Sequence, residues 1–336
     1  MEAQFITKDA GLTFWLARPQ DFDEVMAISN GIYGGKDYLP HRYHTWMTEP
    51  GRVVIIARRG GKLVALDSGL VVDGGQTVVM EGLRVCMSER GHGVAGVIQQ
   101  VTDSYVKQVY PSVNTKRLTR GDNPPPEKLS KFTVLAQRVS PKPFFAILSL
   151  CGEAESFKGF VLGLRAKLDT MEKLNDNKNC LVAVKDSHQL KALLLDPDLS
   201  SRLQLPGGAI IQDWQPLKPI ESNLEILERR NLTWLANCAS DKPTFMSFHT
   251  PAYPIPFNGG SLRFNIDMFG ANLSLARKAL IAHLEQETGE FHKCVLVNIY
   301  MPQTIWEGMR EFCEGHEGVK QCRNYWSQLF LEQEIP

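Results

Sequence analysis

The chain has 336 residues, 43% hydrophobic and 22% charged, an ordinary globular composition long enough for about two domains. Lys plus Arg and Asp plus Glu number 37 each, so no net field draws the protein toward nucleic acid or a membrane, and a small molecule is the expected partner. The start "MEAQFITKDAG" lacks a signal-peptide pattern, no apolar run reaches a membrane span, and seven dispersed cysteines without a CxxC pair read as reduced thiols, which together predict a cytoplasmic protein.

In chain order, "LTFWLARP" predicts a strand and "DFDEVMAISNGI" a helix, with Phe22, Val25, Met26 and Ile28 near helical spacing and Asp21 as N-cap. An aromatic, glycine-rich loop follows, "GIYGGKDYLPHRYHTW". Then "RVVIIARR", "KLVALDSGLVV" and "QTVVMEGLRV" predict three strands, separated by Gly60-Gly61 and Gly74-Gly75, the turn chemistry of consecutive hairpins. "RGHGVAGV" opens a helix whose apolar side is Val94, Val97, Ile98, Val101, Tyr105, Val106 and Val109, ending before Pro111. "TKRLTR" predicts a strand, "GDNPPPEKLSKFTVLAQ" a proline-initiated helix and "PFFAILSL" another strand.

Residues 153–179 are charged and helix-prone and read as a surface connection between domains. Beyond them "GAIIQDWQPLKP", "TFMSFHTPAYPIP", "SLRFNIDMFG" and "KCVLVNIYM" predict strands. "LSLARKALIAHLEQE" and "TIWEGMREF" predict helices, the first burying Leu273, Ala276, Leu280 and Leu284, the second Ile305, Met309 and Phe312. The fold class is therefore α/β (α+β), with mixed, mostly antiparallel sheets flanked by helices. The expected organisation is a first domain at 8–152, a connecting segment at 153–179 and a second, similar domain at 180–336. The second copy offers only Gly270 where the first has its glycine-rich segment.

Two glycines at a helix start cost stability unless something approaches that backbone. A helix N-terminus carries unpaired N–H groups and partial positive charge, so a strand running into such a loop is a phosphate cradle; a plain glycine-rich turn is the other reading. No Gly-Lys-Ser/Thr follows, as a P-loop needs, and no GxGxxG Rossmann turn is present. The eight histidines show neither HxxxH nor HExxH spacing, so no metal site is expected, and His188, His249, His283, His292 and His316 read as surface or core residues.

"MEGLRVCMSERGHGVAGVIQQ" resembles motif A of the GNAT acetyltransferase superfamily, with Arg90, Gly93 and Ala95 at its defining positions. More closely, "FDEVMAIS", "IYGGKDYLP", "MEGLRV", "ERGHGVAGV", "IIQDWQPLKP" and "FNIDMFG" look like the histidine N-acetyltransferase family, in stretches spread over both halves. That resemblance implies tandem GNAT domains with one cofactor site, acetyl-CoA as cosubstrate, and no metal. It implies that Arg90, Gly91, His92, Gly93, Val94 and Ala95 wrap the pyrophosphate, His92 through its backbone. The strand at Leu83, Arg84 and Val85 then offers backbone groups to the pantetheine arm and the carbonyl oxygen. Asn123 corresponds to a pantetheine contact, or is a turn residue before three prolines.

Glu81, four residues before Val85, falls where several GNAT enzymes keep a glutamate that collects the amine proton through water or anchors the ammonium; a solvated strand position is the other reading. The helix that often carries the family's tyrosine acid has Phe132 instead, and a thiol leaving group of pKa near ~8.5 can depart without one; Tyr33 or Tyr38 is the substitute. Tyr33, Tyr38, Tyr43 and Trp46 can enclose an imidazole, with Tyr43 and Trp46 expected only in the core. Asp37 and, from the other half, Asn265 or Asp267 are expected at the acceptor's charged groups. The predicted reaction is acetylation of the α-amine of a free amino acid, histidine by resemblance. Another small amine, a peptide N-terminus or an inactive CoA-binding scaffold are the alternatives.

Overall fold

The computed structural model describes residues 4–121, 126–136, 145–173, 180–237, 242–323 and 326–335. The strands Phe5–Asp9, Leu12–Leu16, Arg52–Arg59, Lys62–Val72 and Thr77–Val85 pair antiparallel in chain order. Gly60 and Gly61, with φ of 56° and 82°, make the two-residue turn between Arg59 and Lys62, a geometry that suits glycine best. Val53 to Ala57 are buried without alternation, the mark of a strand covered on both faces; the helices Phe22–Ile28 and Val94–Val109 share their core.

Asp21 does not cap the first helix with its side chain. It is buried and bonds the Arg18 amide, with Arg18 and Arg58 beside it. Residues 31–46, expected as a loop, contain the helix Leu39–Trp46, started by Pro40 and anchored by buried Leu39, Tyr43 and Trp46. Of the helix expected over 121–137, Pro126–Leu129 is the helical part among the described residues. Thr133–Ala136 is a strand, with Val134 opposite Leu331 near the end of the chain; a distant partner overrides local helix propensity there.

The halves exchange strands across the expected 152/153 boundary. Phe145–Glu153 pairs antiparallel with Cys294–Pro302 along its whole length, and the last strand, Trp326–Glu334, pairs with Thr115–Arg120. Among the described residues, sixteen strands thereby join one continuous sheet, and Ile210–Gln212 with Gln215–Leu217 form a separate hairpin. The described part of the segment expected as a surface connection holds the helix Ala154–Lys173, which buries Phe157, Phe160, Val161, Leu164 and Leu168 in the second core. His249 and His283 lie in the interior, 2.8 Å apart through their Nδ1 atoms. Cys180 is disulfide-bonded, against the expectation that all thiols are reduced. Among the described residues no helix is long and apolar enough to cross a membrane.

Candidate active site

Thr77–Val85 pairs parallel with Thr115–Arg120 only at Thr77, Val78 and Val79, opposite Thr115, Lys116 and Arg117. Beyond Val79 the two strands diverge: the first stays with Lys62–Val72, the second with the last strand of the chain. One backbone edge of residues 80–85 therefore has no strand partner, and the space between the diverging strands is approached by the hairpin at Gln215. A bulge at Gly82 (φ 79°) shifts the register so that Glu81 opposes Ser68 and Arg84 opposes Leu66. The extra residue places Glu81 and Arg84, three apart, on one face of the strand. A Cβ at Gly82 would come within 2.7 Å of the Trp46 ring, so only glycine fits.

The glycine-rich segment sits at the end of this strand. Arg90 Nε donates to the Val85 carbonyl at 3.0 Å and ties the loop to the strand. Gly91 and Gly93 adopt φ of 83° and 79°, and Gly93 caps Val94–Val109 without any side-chain acceptor. Among the described residues, the amides of Gly91, His92, Gly93, Val94 and Ala95 have no acceptor. A Cβ on Gly91 or Gly93 would meet nothing within 4 Å. Successive unpaired amides around open space at a helix N-terminus form an anion cradle, the fit a pyrophosphate requires. His92 is exposed, and the Val94 side chain belongs to the core, leaving its amide for the loop. The Leu83 carbonyl accepts from Arg84 Nη1 at 3.1 Å. Asn123 lies outside the described residues.

Glu81 stands at the opening with both carboxylate oxygens engaged. Oε1 is 2.5 Å from Arg52 Nη1, and Oε2 accepts from Gln215 Nε2 at 2.6 Å. Each oxygen retains a second lone pair, so the carboxylate can still accept an ammonium or water proton. Arg52 is closed from solvent, also pairs with Glu49, and lies over the Trp46 ring. Neither Arg52 nor Gln215 is among the expected site residues: "GAIIQDWQPLKP", expected as one strand, is instead a hairpin turning at Asp213-Trp214, a pair that carries none of the usual hairpin turn residues.

The residues expected at the acceptor are placed differently from one another. Tyr33 is 55% exposed, with its ring 5.3 Å from the Arg84 guanidinium. Tyr38 packs 5.5 Å from the same group, and burial pushes its phenol well above the usual range, so it keeps its proton. Tyr43 and Trp46 are core residues, as expected. Asp37 is buried, with Oδ1 held by Arg84 at 2.7 Å and by the Leu39 amide at 3.1 Å. Asn265 and Asp267 are brought near the Asp213 turn rather than to solvent. Asn265 bonds Arg263, Tyr253 and Asn298. Burial, then the neighbouring Asp213, pushes the Asp267 carboxyl well above its usual range, which keeps it neutral.

Among the described residues, the second half has no comparable divergence of strands. Leu262 to Asp267 pair without interruption with Val295 to Tyr300. The following helix is capped by Asn272, whose side chain accepts from the Leu275 amide at 3.0 Å. A Cβ on Gly270 would lie 2.3 Å from the Thr244 carbonyl oxygen, so this glycine serves close packing.

Residues 178–302 match the family model "Histidine N-acetyltransferase, C-terminal". The chain is 37% identical over 327 residues to "Histidine N-acetyltransferase" of Scomber australasicus, covering 97% of this chain and 94% of that one. It is 36% identical over 329 residues to "Probable N-acetyltransferase 16" of Homo sapiens, covering 96% and 86%. Its fold is similar to a solved tandem GNAT protein from the clavulanic acid biosynthesis pathway, with TM-score 0.54 and 12% identity over 97% of this chain and 99% of that one.

Proposed function

The chain belongs to the histidine N-acetyltransferase family of the GNAT superfamily, and we propose that it transfers the acetyl group of acetyl-CoA to the α-amine of free L-histidine, giving N-acetyl-L-histidine. GNAT N-acetyltransferases use acetyl-CoA, and the observation that carries its placement here is the run of unpartnered amides from Gly91 to Ala95 beside the diverging strands. The pyrophosphate lies on those amides with Arg90 at the loop entrance, and the pantetheine arm follows the edge of Leu83, Arg84 and Val85 that no neighbouring strand covers, where its groups replace the Arg84 and Arg90 side chains on the Leu83 and Val85 carbonyls. A backbone amide near Val85 holds the carbonyl oxygen as charge develops on it.

The free amine attacks the thioester carbonyl, the C–N bond forms, the C–S bond breaks and CoA thiolate departs. The amine proton passes to Glu81, through water, which leaves the product amide neutral. With a leaving thiol of pKa about 8.5, no dedicated acid is needed. Tyr33 and Tyr38 flank the acceptor. Histidine as acceptor is supported by the names of the fish and frog relatives.

The deciding experiment incubates the purified chain with acetyl-CoA and each free amino acid, with mass spectrometry of the products. N-acetylhistidine as the main product is expected. A different acetylated amine moves the acceptor to the alternative class, and no product with any amine leaves a CoA-binding scaffold.

A further inference from the structure

The hairpin Ile210–Gln212 and Gln215–Leu217 has Gln212 paired with Gln215, so its turn is the two residues Asp213 and Trp214, at φ of 45° and 77°. Turns of this kind normally take Asn-Gly, and a tryptophan at positive φ is sterically unfavourable. The surroundings hold it there. Asp213 is 4% exposed and pairs with Arg263 at 2.6 Å and with Arg42 at 2.8 Å. Tyr253 donates to the same carboxylate at 3.1 Å. Arg42 comes from the helix Leu39–Trp46 of the first half and Arg263 from the second, so one buried carboxylate locks the turn to both. Thr119, on the strand that diverges from Thr77–Val85, donates its hydroxyl to the Trp214 carbonyl.

The strained, clamped turn delivers Gln215 to Glu81. Gln215 is 1% exposed and reaches Glu81 Oε2 from across the opening. We propose that Gln215 is the positioning residue for Glu81, and that the Asp213–Trp214 turn is the part of the acceptor site supplied by the second half. Arg52 pairs directly with Glu81, and the buried Arg42 and Arg230 act on the same carboxylate from farther off. A neutral amide fixes the second oxygen without adding a further cation. The Oε1 atom of Gln215 is buried and has no donor among the described residues, so the acceptor end of the amide is open to an N–H of the acceptor.

This inference rests on Glu81 as the proton acceptor. The test compares Gln215→Met, of similar length without a donor, with Glu81→Gln and the double variant, on the full chain with acetyl-CoA and histidine. Gln215→Met should lower kcat about tenfold by freeing Glu81, leave acetyl-CoA affinity unchanged, and move the acid limb of the kcat/KM profile to higher pH, because a donor to the charged form is lost. In the Glu81→Gln background the same substitution should add less than about a twofold loss. An unmoved acid limb, or a second tenfold loss in that background, overturns the positioning role. Wild-type turnover in Glu81→Gln overturns the base assignment instead. If Gln215→Met does not fold, Gln215→Asn, which keeps the donor but shortens its reach, carries the same comparison.

Discussion

The Arg84 guanidinium stands 2.7 Å from Asp37 Oδ1, with the two side chains 1% and 4% exposed. Strand Thr77–Val85 is thereby fastened to the turn before helix Leu39–Trp46, and the Tyr33 and Tyr38 rings pack on the same guanidinium. Asp37→Ala leaves that cation buried without its anion and should lower unfolding free energy by about 3–5 kcal/mol in denaturant titrations. A variant that keeps wild-type stability but raises KM for the acceptor would place Asp37 on the substrate instead.

Gly93→Ala and Gly270→Ala should fail in opposite ways. At Gly93 a Cβ meets no protein atom, so only the left-handed φ is penalised, about 1–2 kcal/mol, while acetyl-CoA affinity by calorimetry falls about tenfold or more. At Gly270 the Cβ runs into the Thr244 carbonyl oxygen; stability falls by about 3 kcal/mol and the folded fraction binds acetyl-CoA as before. Equal affinity loss in both would contradict a single cradle.

Asp67 is fully buried, and that burial pushes its carboxyl up to about 7. The folded state then holds a proton that the unfolded chain releases near pH ~4. Stability should therefore fall as pH rises from about 4 to 7, since the native state binds more protons there. Asp67→Asn should flatten that slope and raise the melting temperature at pH 8. An unchanged slope between wild type and variant would rule out Asp67 as its source.

Phe330, on the final strand, is 1% exposed and packs with Ala209, Ile211 and Leu135. Because this strand binds the sheet of the first half while Phe145–Glu153 binds that of the second, Phe330→Ala should cost about 3–5 kcal/mol and shift one cooperative transition. Separate transitions for the two halves, with only one displaced, would argue against strand exchange as the coupling.

Local rules were legible where local sterics decide. Gly60-Gly61 announces its hairpin, and the glycine segment before Val94 announces a backbone at positive φ with open amides, since only glycine takes those angles without penalty. The helix Leu39–Trp46 was hidden in an aromatic loop although Pro40 and the spacing of Leu39, Tyr43 and Trp46 were in view.

By itself the sequence determined the α/β class and marked the glycine segment between a strand and a helix, because both signals lie in residues adjacent in the chain. Only the tertiary structure decided where the partners come from. Thr133–Ala136 becomes a strand because Trp326–Glu334 offers it an edge. The two diverging strands open because the chain's last strand draws Thr115–Arg120 away from Met80 to Val85. Glu81 meets Gln215 because Asp213 is pinned by arginines from both halves. Pairings across such sequence distances follow from surface complementarity and buried charge balance, which no local pattern encodes.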